Sequence, residues 1–181
     1  MKLYILALLL ISGFAYAGHE DECMEIKSKK GEGTYVMTSA GFSIYIDPKN
    51  EYVDMFENNL MIKVAEGTLN IDKFSLTQDW KEAKSMMNDD FKNVVYNGHA
   101  PKKDSSLKVL KTDTSKLNGM ECILKEYTYQ SSDGLWKGTI VLFKTPKGVY
   151  QMKYDRPEDI YIQFIDKIAA VMKTAKPISE N

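Results

Sequence analysis

The chain has 181 residues, of which 44% are hydrophobic and 27% charged, with 24 basic and 25 acidic side chains and a net charge of −1. That length suits one ordinary domain. So balanced a charge lacks the basic excess that a nucleic-acid or anionic-membrane surface requires.

Met1 and Lys2 make a short positive start, followed by an almost unbroken apolar run from Leu3 to Tyr16. The run is shorter than the roughly 20 residues that span a hydrocarbon core. It also lacks the polar stripe of a core helix. It ends in Ala15-Tyr16-Ala17, small-x-small, the pattern that a signal peptidase cuts behind. Residues 1–17 are therefore expected to be a signal peptide cleaved after Ala17, with no membrane insertion of what remains and a periplasmic or secreted destination. Residues 18–33 read as a flexible N-terminal lead, and residues 34–177 as one domain.

The lead opens on Gly18-His19-Glu20-Asp21-Glu22-Cys23. A histidine second from a free amino terminus suits copper or nickel, which makes His19 a weak metal candidate. The competing reading is a hydrophilic tail that lets the peptidase reach its bond, and on it no metal or cofactor is expected. Cys23 and Cys122 are the two cysteines. In an exported protein such a pair suggests a disulfide; two free thiols are the alternative.

Beyond the Gly31-Glu32-Gly33 loop, Thr34 to Met37 is a short strand candidate. In GFSIYID, Phe42, Ile44 and Ile46 alternate with Ser43, Tyr45 and Asp47, the period of a half-buried strand, and Pro48 ends it. LMIKVAEG and TLNIDKFSL flank Glu66-Gly67 as a hairpin. The spacing of Trp80, Ala83, Met87, Phe91 and Val94 predicts a helix over 78–94, with Asp79 in its first turn. The polar connector Asn97 to Ser106 follows, containing His99; long loops carry function more often than other parts.

The back half reads as a meander. SLKVLKTD turns through Asn118-Gly119 into MECILKEYTYQ, then through Asp133-Gly134 into LWKGTIVLFKT. Pro146-Lys147-Gly148 turns into VYQMKYD. In LWKGTIVLFKT, Trp136, Ile140 and Leu142 lie on one face, Val141 and Phe143 on the other, so this strand is central and covered on both sides. Pro157 with Glu158 and Asp159 starts a final helix. Ile160, Phe164, Ile168 and Met172 form its stripe with Tyr161 and Ile165 beside it, Lys173 and Lys176 suit its far end, and Pro177 stops it.

The order of these pieces, closing on GVYQMKYDRPEDIYIQFIDKIAAVMKTAK, resembles the PsbP-like superfamily. That group includes an extrinsic photosystem subunit, a Ran-binding nuclear import factor and bacterial envelope proteins of the DcrB type. The match lies in Tyr150, Met152 and Tyr154 of the last strand and in Phe164, Ile168 and Met172 of the helix. The resemblance runs over about Gly41 to Lys176, and the export signal favours its envelope branch. It implies an α+β single domain: an antiparallel sheet of about six or seven strands packed with a mid-chain helix and a C-terminal amphipathic helix.

No HExxH, G-x-S-x-G, P-loop or G-x-G-x-x-G occurs. Arg156, the sole arginine, is held extended by Pro157 and offers a fork to an anionic partner. A local ion pair with Glu158 or Asp159 is the plainer reading. Arg156, His99 and Trp136 are the candidate binding residues. The expectation is a non-enzymatic accessory or binding protein of the envelope whose partner is another envelope or secreted protein. A metal carrier or small enzyme with a site built from scattered residues is the alternative.

Overall fold

A computed structural model describes residues 26–28, 34–37, 40–47, 51–56, 59–64, 67–98 and 106–178. In chain order these form β1 (Ile26–Ser28), β2 (Thr34–Met37), β3 (Phe42–Tyr45), β4 (Glu51–Phe56), β5 (Asn59–Val64), β6 (Gly67–Lys73), α1 (Trp80–Asp89) and α2 (Phe91–Val95). β7 (Lys108–Leu117), β8 (Met120–Ser131), β9 (Gly134–Thr145), β10 (Gly148–Pro157), α3 (Glu158–Met172) and β11 (Lys176–Pro177) follow.

The strands form two antiparallel sheets rather than one. The larger has the order β4-β5-β6-β10-β9-β8-β7 and the smaller β1-β2-β3-β11. The predicted meander is the half of the large sheet from β10 to β7. Its β7–β8 hairpin closes on Asn118 and Gly119, both at positive φ, 47° and 95°. Two residues left-handed in succession make the turn whose twist matches paired strands, which is why Asn-Gly stands there.

The large sheet is apolar on both faces, as the β9 pattern requires. Val141 and Phe143 join one cluster with Leu60, Ile71, Met152, Tyr154 and the α3 residues Phe164, Ile168 and Met172. Ile140 and Leu142 join the other with Ile123, Tyr127 and the helical residues Ala83, Met87, Phe91 and Val94. Phe42, Ile44 and Ile46 bring β3 into the first cluster. Each fully buried side chain of this size contributes about 1.5–3 kcal/mol, so these two sandwiched layers account for most of the drive to fold.

Four local readings are corrected. The mid-chain helix is two helices, because Asp90 leaves helical geometry at φ −134°, ψ 38°. Short acidic side chains favour helix ends, and the break still turns Phe91 and Val94 into the core. Asp79 is the N-cap rather than a first-turn residue, accepting a hydrogen bond from the Glu82 amide at 2.8 Å. Helix α3 ends at Met172, so Lys176 and Pro177 belong to β11, paired with Ser43 and Phe42 of β3. Ile26–Ser28, inside the expected lead, pairs with β2. Among the described residues no helix is long and apolar enough to cross a membrane.

Candidate functional site

Helix α3 follows β10 without a linker, since Pro157 both ends the strand and caps the helix. The helix therefore folds back over the middle of the sheet, mainly against β10, β9 and β6. The end of the sheet formed by β8 and β7 projects past it, leaving a cleft of about 300 Å³. Leu117, Cys122, Leu124 and Val141 floor it, Ile165, Ala169 and Met172 wall it, and Asp113, Glu126 and Lys173 stand at its rim. Leu117, Leu124 and Ile165 are partly buried members of the main core, so the cleft is an unfinished edge of that core.

Two contacts fix its width. Asn118 Nδ2 in the hairpin turn donates to the Lys173 and Ala175 carbonyl oxygens at 2.7 and 2.8 Å, tying the hairpin tip to the end of α3. At the other end the hydroxyls of Thr139 and Tyr161 lie 2.5 Å apart. Burial raises the Tyr161 phenol, and the Thr139 bond opposes that. Lys111 and Glu126 pair loosely across β7 and β8 at 3.8 Å. Cys122 is a buried free thiol with the Ser115 hydroxyl at 3.5 Å; Cys23 lies outside the described residues.

On the opposite face of the same hairpin is a second recess lined by Trp80, Lys84, Thr114, Lys116 and Glu121. Trp80 Nε1 donates to Glu121 Oε2 at 2.9 Å, and this bond holds the Glu121 carboxyl below its ordinary range. Strand β7 between the two recesses is exposed along almost its whole length.

Of the residues singled out from sequence, Arg156 and Trp136 are among the described ones, and these two do not converge. His19 and His99 lie outside the described residues. Arg156 is half-buried, with Nη1 donating to the Asp155 carbonyl oxygen at 2.8 Å and the guanidinium 6.0 Å above the Tyr154 ring. Trp136 Nε1 donates to Asp133 Oδ1 at 2.8 Å, and its ring lies 6.0 Å from that of Tyr129. Arg156 stands opposite Lys137 and Trp136 opposite Pro157 in the β9–β10 ladder, so side-chain alternation puts Arg156 and Trp136 on different faces. Neither lines the cleft.

A polar seam on the helical face was also missed. Gln151 Nε2 donates to Asp72 Oδ2 at 3.1 Å, Lys153 Nζ donates to the Val95 carbonyl oxygen at 3.0 Å and pairs with Asp155 at 3.2 Å, and Tyr127 Oη donates to Asp155 Oδ2 at 3.3 Å. Burial pushes Asp72 up, partly offset by Gln151 and then Lys153. Burial also raises Tyr127 strongly. The alternation of Gln151, Lys153 and Asp155 along β10 was the available signal.

No protein-family model and no curated protein sequence matches the chain. Solved structures do match in fold. PsbP (CyanoP) of the cyanobacterium Synechocystis superposes with a TM-score of 0.60 at 10% identity, over 84% of this chain and 97% of that one. Protein PA94 of Pseudomonas aeruginosa gives 0.51 at 11% identity, over 72% and 99%. A protein of Bacteroides thetaiotaomicron gives 0.51 at 12% identity, over 82% of this chain and 49% of that one. At these identities the likeness is one of architecture, and the chain carries the PsbP-like fold.

Proposed function

We propose that this protein is an exported, non-enzymatic accessory protein of the bacterial cell envelope that binds another envelope or secreted protein. The observation that carries the binding role is the unfinished edge of the core. A cleft of about 300 Å³ with apolar floor and walls opens beside an exposed edge strand. That volume lies at the lower end of the range for recognition pockets. Export is supported by the apolar run that closes in Ala15-Tyr16-Ala17. The PsbP-like architecture is compatible with the role but assigns no partner, because one fold hosts many functions.

The test has two parts. Expression of the whole chain with a C-terminal tag, followed by cell fractionation and intact-mass measurement, should give an envelope or secreted product beginning at Gly18. Cross-linking through a photoreactive residue at Leu124 should then capture one envelope protein in stoichiometric yield, and the same residue at Lys63, on an exposed site of β5, should not. A product retaining residues 1–17 in the cytoplasm would end the envelope reading.

A further inference from the structure

β7 stands at the end of the large sheet, and among the described residues no strand pairs with its outer side. Its outer hydrogen-bonding groups can be assigned. The two-residue turn makes Leu117 and Met120 a hydrogen-bonded pair, and such pairs then alternate up the ladder. Ser115, Asp113 and Lys111 thus point their amides inward to β8. Thr112, Thr114 and Lys116 point theirs outward, and the register shift between Val109 and Lys111 ends the regular stretch.

Two features of this edge have no occupant among the described residues. Val109 and Leu110 are 46% and 52% exposed on it. The cleft opens along the same strand, at Asp113, Ser115 and Leu117. We propose that both are completed by one ligand: an acidic, extended segment of a partner protein that adds to β7 as a further strand and lays apolar side chains toward the cleft. In such strand addition, main-chain bonds supply affinity and pockets for alternate side chains supply selectivity.

Charge decides between that partner and a second copy of this chain. β7 carries Lys108, Lys111 and Lys116 against a single Asp113; Lys173 and Glu126 flank it on one face and Lys84 and Glu121 on the other, so five basic groups stand against three acidic ones. Two copies of β7 side by side would bring six lysines together with two aspartates, and such an excess of like charge across a strand pair is destabilising. Lysines on an edge also discourage pairing with further copies. A glutamate- or aspartate-bearing strand meets the opposite field.

This inference rests on the binding-protein reading, and its test leaves export aside, so the two can fail separately. The purified protein is titrated with fluorescent peptides as long as β7, one alternating valine with glutamate and one alternating valine with lysine. Hydrogen exchange is followed residue by residue. The glutamate peptide should bind about tenfold more tightly than the lysine peptide and slow exchange at the Thr112, Thr114 and Lys116 amides. Thr114→Pro removes an outward amide that β8 does not use and should abolish binding. Lys108→Glu with Lys116→Glu, both at exposed positions, should reverse the peptide preference even if the proline variant fails to fold. Equal affinity for the two peptides, unchanged exchange at the three amides, or full binding by a folded Thr114→Pro protein would each overturn the proposal. So would a dimer of the free protein that protects those same amides.

Discussion

Gly138 should be the position in β9 least able to accept a methyl group. It stands opposite Tyr127 in the β8–β9 ladder, and the tyrosine ring lies flat over it. A Cβ at 138 would sit 2.4 Å from Tyr127 Cζ, 2.6 Å from Oη and 2.8 Å from Cε1, whereas carbons in contact rest about 3.5–4.0 Å apart. The ring would have to retreat by about 1 Å. It is fully buried, its edge contact with Phe91 is at 5.5 Å, and its hydroxyl reaches across β9 to Asp155. Overpacking of this kind costs about 1–3 kcal/mol, and losing a hydrogen bond to a charged acceptor about 1.5–3 kcal/mol. Since the Tyr127–Asp155 bond is long at 3.3 Å, we take about 3 kcal/mol in all for Gly138→Ala, or a fall in Tm of about 6–12 °C for a domain of this size. The assay is urea unfolding of four proteins: wild type, Gly138→Ala, Tyr127→Val and the double variant. Once the ring is gone, Gly138→Ala should stabilise by about 0.5–1 kcal/mol, because alanine loses less conformational freedom in a strand than glycine. An equal cost in both backgrounds would refute the steric account.

Three further outcomes follow from buried polar groups. Asp72 is raised by burial, so its folded pKa lies above its unfolded one. The stability tied to its proton is complete below about pH 3.8 and is lost as pH rises through the raised value. Asp72→Asn should therefore gain on wild type as urea midpoints are measured from pH 3.5 to pH 7. Lys125 is 5% exposed, over the Phe91 ring at 4.8 Å, and burial lowers its pKa. Lys125→Met should raise stability by removing a partly desolvated charge while keeping the packing, whereas Lys125→Ala should lower it, as urea midpoints of the two variants would show. Tyr161→Phe should cost about 1–3 kcal/mol by orphaning the buried Thr139 hydroxyl, and Thr139→Val in the same protein should recover most of it; calorimetry on the wild type and these two variants decides.

The meander was legible because each of its turns carries a residue with its own conformational preference and each strand a period of two. Thr34 to Met37 and the alternation from Phe42 to Ile46 were legible for the same reason, and so was the buried stripe of α3. The break at Asp90 was hidden by the apolar spacing through Val94, because α2 continues the same stripe after it. Glu51 to Phe56 escaped notice because its apolar residues are interleaved with Glu51 and Asp54. Nothing local told whether β3 joined the large sheet: that depended on β11, two residues long, returning to pair with it. Nothing local marks Lys125 as buried: its ammonium lies over the Phe91 ring, a residue 34 positions earlier in the chain. The cleft was beyond reach because its lining comes from residues 113–126, 139–141 and 165–173, which meet only once α3 has been laid over the sheet.

That placement also explains why the edge is bare among the described residues. Seven strands at about 4.8 Å spacing make a sheet about 29 Å wide, while one helix with its side chains covers about 10–12 Å. Because α3 must start where β10 stops, its width is spent on β10 and its immediate neighbours. The small sheet adds cover through Phe42, which packs on Phe143 of β9 and Tyr150 of β10 at 5.1 and 5.6 Å, again near the middle. β7 lies three strands from β10, about 14 Å away, beyond either lid. The sequence answers by making β7 polar at every position from Lys111 to Lys116. Val109 and Leu110 break that rule at the one point where the ladder shifts register. These two exposed side chains are the ones that the proposed added strand would cover.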